Sequence, residues 1–188
     1  MGNRVCPWWL GYFLASPLRR WIEIRDPEAF LSPYVKPEMT VFEPGPGMGF
    51  FTLPMAKLVG PSGHIVAADV QAPMLNVLRR RAEKADISSR IETRLVGSES
   101  LGAADLEGKV DFALAWAVVH EFPSADNFFG ELAAMLKPGG SVLFGEPSGH
   151  VNVEHFAREL DSARMAGLTE ARRLEVRRST AALLRKNA

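Results

Sequence analysis

A single cysteine, Cys6, leaves no partner for an internal disulfide in these 188 residues, and a reducing, cytoplasmic interior is the natural compartment. No group of Cys and His has zinc-ligand spacing, so no metal is expected. Neither sign of charge prevails: 22 Lys and Arg stand against 22 Asp and Glu, and no global field steers the chain toward nucleic acid. The last 31 residues hold eight basic and four acidic side chains, an excess that reads as a solvated face. No apolar run reaches the roughly 18 residues a membrane span needs. No cleaved leader is expected either. "CPWWLGYFLASPLRRW" is apolar and follows Arg4, but Pro7 breaks it at its start and no small-x-small cleavage site clearly follows. "MGNRVC" has Cys6 where a myristoylation signal wants Ser or Thr. The segment is expected to be part of the folded protein, with weak membrane-surface contact by its aromatics left open.

What is present is the pattern of one α/β domain. Pro7, Pro17, Pro27, Pro33 and Pro37 punctuate the first forty residues and suggest short helices over 18–24 and 27–34. Beyond Pro37, apolar runs at 39–43, 63–70, 90–96, 110–119 and 141–146 read as strands. Between them, 50–59, 72–85, 124–137 and 152–167 read as helices, with Ser124 and Asn152 as N-caps and Gly167 closing the last. "PGG" at 138–140 is expected to stop the third of these helices. Residues 169–186 read as a hairpin. Alternation of this kind implies a doubly wound, mainly parallel sheet with helices on both faces and an antiparallel C-terminal hairpin. Ligands then bind beyond the carboxyl ends of the strands, where strand order reverses.

The stretch "EPGPGMGFF" (43–51) follows the first strand directly. A triphosphate loop would need GxxxxGK[ST], and neither Lys-Ser nor Lys-Thr follows. The dinucleotide fingerprint GxGxxG also fails, because the third glycine comes one residue early, at Gly45, Gly47 and Gly49. Glu43 at the strand tip would face a pyrophosphate poorly and would suit a cationic ligand. A plain tight turn before a helix is the remaining reading of the loop alone.

Acid-x-Gly-x-Gly-x-Gly resembles the first motif of the class I S-adenosylmethionine-dependent methyltransferases. The resemblance runs from about residue 38 to the end. It includes Asp69 at the tip of the second strand, "VDFALAWAVVHEFP" at the fourth and "ELAAMLKPGGSVLFGEP" at the turn and fifth strand. It implies a Rossmann-like methyltransferase sheet and S-adenosylmethionine as cofactor. It also implies a division into an N-terminal helical and aromatic lid, 1–36, and a donor-binding domain, 37–188. Gly45 and Gly47 would let the backbone approach the methionine part of the donor, where a Cβ would collide. Amides opening the helix at Gly49 would favour its carboxylate. Glu43 would lie near its ammonium, and Asp69, followed by Val70, would hold the ribose diol; the other role open to Asp69 is a cap for the helix that follows. The third strand departs from the family: no acid closes it, and Ser98 or Glu99, or backbone around Ser98, would have to meet the adenine.

The acceptor side is less specified. "HEFP" (120–123) sits where acceptors bind in this family, making His120 and Glu121 candidates for a wall or base, with Glu146 at the fifth strand tip and, more weakly, His150. Each has a structural hydrogen-bonding role as its alternative. Ala115-Trp116-Ala117 replaces the Asn/Asp-Pro-Pro-Tyr type motif of family members that methylate adenine or glutamine amides. Trp8, Trp9, Tyr12 and Phe13 would line a lid, with Tyr12 near the donor or acceptor, or else simply pack against the sheet; as a lid they would favour an apolar or aromatic small-molecule acceptor. The chain is most similar to the broad group that includes quinone C-methyltransferases. Arsenite methyltransferases rely on several cysteines, which this chain lacks. The alternatives are an inactive donor-binding regulator and an NAD-linked oxidoreductase, the latter opposed by the glycine spacing.

Overall fold

The computed structural model describes residues 24–187. The segment expected to form a lid, including Trp8, Trp9, Tyr12 and Phe13, lies outside the described residues, as does nearly all of the helix expected over 18–24.

Helix α1 (Pro27–Leu31) opens the described fold, with the Asp26 carboxylate accepting from the amides of Glu28 and Ala29. It stops before Pro33, which cannot donate to a continuing helix, so it is shorter than the 27–34 expected. Then follow β1 (Thr40–Pro44), α2 (Thr52–Leu58), β2 (His64–Asp69), α3 (Ala72–Lys84) and β3 (Ile91–Leu95). The second half holds β4 (Val110–Trp116), α4 (Ala125–Met135), β5 (Leu136–Pro147), α5 (Val153–Met165), β6 (Leu168–Val176) and β7 (Ser179–Lys186). The described strands form one sheet in the order β3-β2-β1-β4-β5-β7-β6. The first five run parallel, and β7 lies antiparallel to both β5 and β6. The doubly wound sheet with its closing hairpin is therefore as the sequence pattern implies.

Two boundaries differ from expectation. "PGG" does not lie outside a strand: β5 begins at Leu136, which pairs with Val110 before the register shifts. Gly140 allows this, since a Cβ there would lie 2.9 Å from the Lys137 carbonyl oxygen. At β4 the strand ends at Trp116 rather than Val119. Ala117 turns to φ +57, a conformation that a residue with a side chain rarely adopts. The chain is thereby re-aimed into a short helical turn over Val119–Glu121.

Strand side chains alternate between two cores. Val41, Phe112, Leu114 and Trp116 face α1 and α2, while Phe42, Ala113 and Ala115 face α4 and α5. Both faces of β4 are covered, which explains its nearly unbroken apolar run. Phe51 is buried and meets the Trp116 ring at 5.9 Å, holding the start of α2 to the sheet. Strand order reverses between β1 and β4, so the crevice forms where the Gly45–Gly49 loop and the Ala117–Glu121 turn leave their strands.

Candidate functional site

The loop after β1 is held from several sides. The Gly45 amide donates to the Ala68 carbonyl at 2.8 Å, continuing the β1–β2 ladder. The Gly47 amide donates to the Asp69 carboxylate at 3.2 Å. Arg81 on α3 donates to the Met48 carbonyl. The three glycines, all at positive φ, do different work. A Cβ on Gly45 would approach the Val118 side chain to 2.9 Å, and one on Gly49 would meet Leu78 at 2.5 Å. Those two are small because the protein itself fills the space. Only at Gly47 would a Cβ enter open space. A Cβ at Gly45 would thus press on the Val118 side chain, whereas one at Gly47 would border open space.

Two buried carboxylates flank this cradle. Glu43 accepts from the Thr52 hydroxyl at 2.5 Å, tying the tip of β1 to the first residue of α2. Asp69 accepts from the Gly47 amide and, at 2.9 Å, from the Gln71 amide. Burial raises its pKa, and the hydrogen bonds from Gln71, Gly47 and Val70 work against that rise. Asp69 thus supports the start of α3, and its carboxylate oxygens retain further accepting capacity. Val70 is 37% exposed at the same tip. The Val96 amide donates to the Asp69 carbonyl at 3.1 Å, which brings the turn at Gly97, Ser98 and Glu99 beside it, with Ser98 and Glu99 exposed. Paired acids around an open backbone cradle fit a cationic nucleoside better than a polyphosphate.

A second group of titratable residues rises from β4 and β5. Glu146, fully buried, accepts from the backbone amides of Val119 at 2.9 Å and His120 at 3.3 Å. Its other oxygen lies 2.5 Å from His120 Nδ1. With Nδ1 committed to the carboxylate, Nε2 is the nitrogen left to take up a proton. Burial opposes a charge on His120, but the hydrogen bond and charge of Glu146, helped by Glu121 and Glu159, raise its pKa above the usual value. The His150 ring stands 5.4 Å from the His120 ring. The structure thus joins His120 to Glu146, and sets Glu121 next to them in the chain and His150 alongside. One member was missed from sequence: Glu159 on α5 is buried beside this group. Its signal was an acid on the apolar stripe Phe156, Leu160 and Ala163.

Among the described residues no helix is long and apolar enough to cross a membrane. A family model described as a methyltransferase domain matches residues 41–140. The chain belongs to the class I S-adenosylmethionine-dependent methyltransferases. The cofactor of this family is S-adenosylmethionine. A solved methyltransferase from Aquifex aeolicus, itself described as SAM-dependent, shares the fold with a TM-score of 0.82 at 24% identity, over 95% of this chain and 99% of that one. An arsenite methyltransferase of Halobacterium salinarum is 31% identical over 121 residues, covering 64% of this chain and 30% of that protein. A ubiquinone/menaquinone biosynthesis C-methyltransferase of Vibrio vulnificus is 27% identical over 108 residues, 57% of this chain and 41% of that protein. The chain matches less than half the length of these curated relatives.

Proposed function

We propose that this protein transfers a methyl group from S-adenosylmethionine to a small acceptor that loses a proton in the process. When bound, the cofactor supplies an activated methyl group for in-line displacement. The rest is alignment and exclusion of water, which can be worth about 7–11 kcal/mol. Gly47 would admit the donor's methionine part, Glu43 would lie near its ammonium, directly or through water, and Asp69 would accept from its ribose hydroxyls. Val70 and the Ser98 turn would border the adenine. Gly45 and Gly49 hold the loop in shape. His120 would take the acceptor's proton at Nε2 while Glu146 holds the imidazole through Nδ1. Glu121 would form part of the wall.

The observation carrying this reading is how near Gly45 stands to Val118, whose side chain a Cβ on Gly45 would approach to 2.9 Å, so that the donor loop and the His120 turn lie side by side. The division into a lid over 1–36 and a donor domain over 37–188 belongs to the same proposal, as does Tyr12 near the donor. An apolar or aromatic acceptor follows if the lid is formed. The relative that methylates arsenite does not transfer its substrate here, since this chain has the one cysteine, Cys6.

Calorimetric titration with S-adenosylhomocysteine and with NAD tests the donor site. Binding of the first and not the second is expected; the reverse would overturn the proposal. Incubating the protein with labelled donor and a cell extract tests transfer. Donor binding without any labelled product across extracts would favour the inactive regulator instead.

A further inference from the structure

A hollow of about 820 Å³, within the size range of small-molecule sites, lies where β4 and β5 begin. The glycine loop and the His120 turn leave the opposite ends of their strands, and the seven residues of β4 put roughly 20 Å between the two places. Four cationic side chains line the hollow: Lys36 from the loop after α1, Lys137 from β5, Arg172 from β6 and Arg185 from β7. Strand register gathers the two arginines. Arg172 pairs with Leu183, which stands two residues before Arg185 on β7, and residues opposite one another or two apart share one face of a sheet. The wall also holds Asp111, whose carboxylate is already committed: it accepts from the Thr40 amide at 2.8 Å and from Lys137 at 2.5 Å. Lys36 donates to the Ser32 carbonyl at 2.7 Å. Arg172 donates to the Tyr34 hydroxyl at 2.7 Å, with its guanidinium 5.9 Å from the centre of that ring. Among the described residues, neither Lys36, Arg172 nor Arg185 forms an ion pair with an acid.

We propose that this hollow binds a small organic phosphate, whose phosphoryl oxygens are held by Lys36, Arg172 and Arg185. Cations that face one hollow without a counter-charge repel one another, and an anion between them removes that cost. Arginine adds a planar fork of donors that matches phosphate oxygens, and lysine adds a point charge. Tyr34, Met39, Pro138 and Leu183 supply an apolar wall, which suits the organic part of the ligand and which a bare phosphate would leave uncovered. At the rim, Gly139 takes φ +74, and a Cβ there would meet nothing within 4 Å, so the entrance is clear on that side. The size of the hollow and the balance of 22 basic against 22 acidic residues favour a small anion over a long nucleic-acid strand, which an overall positive field would hold. Arg172 and Arg185 belong to the basic excess of the last 31 residues, so part of that excess faces a cavity instead of open solvent. The hollow shares no residue with the proposed donor site, and this inference does not depend on methyl transfer.

Calorimetry and amide-resolved nuclear magnetic resonance of the full chain test this with three probes: uridine 5′-diphosphate, pyrophosphate and uridine. The diphosphate ester should bind and shift the amides of Gly139 and Gly140 while leaving those of Gly45, Gly47 and Gly49 in place. Pyrophosphate should bind more weakly, uridine should not bind, and added salt should weaken both anions. Arg172→Ala and Arg185→Ala should each lower affinity for the diphosphate ester about tenfold or more, with S-adenosylhomocysteine bound as by the wild type. Arg185 is exposed, so Arg185→Ala keeps the test open if Arg172→Ala, which loses its bond to Tyr34, fails to fold. The proposal is overturned if neither phosphate probe moves Gly139 and Gly140, or if Arg185→Ala binds the diphosphate ester as the wild type does. Tighter binding of a single-stranded RNA or of phosphatidylglycerol vesicles than of the diphosphate ester would also overturn it, in favour of a surface for a larger polyanion. Failure of the methyl-transfer reading appears elsewhere, as absent binding of S-adenosylhomocysteine, and leaves these shifts as they are.

Discussion

The Gly47 amide donates to the Asp69 carboxylate at 3.2 Å, fastening the glycine loop after β1 to the tip of β2. One carboxylate thus shapes the loop and remains available to a ligand. Replacing Asp69 by Ala should act in both ways. The amides of Gly47 and Gln71 lose their acceptor, which costs about 1–3 kcal/mol where no water replaces it. Affinity for S-adenosylhomocysteine should fall tenfold or more in calorimetry, and the ligand-free melting temperature should drop by a few degrees. Unchanged affinity in a folded Asp69→Ala protein would remove Asp69 from the donor site.

The glycines separate stability from binding. Gly49→Ala would set a Cβ 2.5 Å from Leu78 and keep φ at +83, so it should lower the melting temperature clearly, whatever the ligand. Gly47→Ala meets no protein atom. Its cost is the left-handed backbone alone, about 1 kcal/mol, while its methyl group enters the proposed donor space. It should weaken S-adenosylhomocysteine binding more than it weakens the fold. If Gly47→Ala binds as the wild type does, the open space at Gly47 is not where the donor lies.

These contrasts mark what sequence could convey. The succession of strands and helices, helix faces and the caps at Ser124 and Asn152 were legible, because alternation, stripes and capping residues are local signals. Asp69 and the glycines were legible by spacing. The separate duties of Gly45, Gly47 and Gly49 were not, since Val118 and Leu78 reach them from distant positions. Nor was the strand start at Leu136, where pairing with Val110 overrides the turn signal of Pro138-Gly139-Gly140. His120 and Glu146 were each visible as candidates, but their 2.5 Å contact depends on β4 and β5 lying side by side. Glu159 was hidden, because a lone acid on an apolar stripe gives no sign of what surrounds it in the fold.

Glu146 should prove more costly to lose than His120. Glu146→Ala leaves the buried amides of Val119 and His120 without their acceptor, at about 1–3 kcal/mol for each one left unpaired. His120→Gln keeps those bonds and should fold well, while turnover of labelled donor, once an acceptor is found, should fall by about a hundredfold or more. A base must be unprotonated to act. The raised pKa of His120 therefore places the acid limb of turnover above the usual histidine range. Glu146→Gln removes the main raising influence and should shift that limb to lower pH. A limb that stays put would show that His120 is not the titrating group.

Stability against pH reads the charge of Glu159, whose pKa is pushed up to about 8 by burial first and the Glu146 charge second. A carboxyl that binds its proton more tightly folded than unfolded adds stability in its protonated form. That contribution is complete below the ordinary value of 4.5 and is lost as pH rises toward about 8. The loss is at most about 1.4 kcal/mol per pH unit for a single group. His120, whose pKa is also raised, acts in the same sense from its ordinary 6.5 upward, and Asp69 does so from 3.8. Wild-type protein should thus resist urea better at pH 5 than at pH 8. Glu159→Gln carries no proton to lose and should flatten the curve through this range, leaving the slopes of His120 and Asp69. The same pH dependence in both proteins would mean that Glu159 is ionised in the fold. Its unpartnered oxygen would then need a donor that the described residues do not supply.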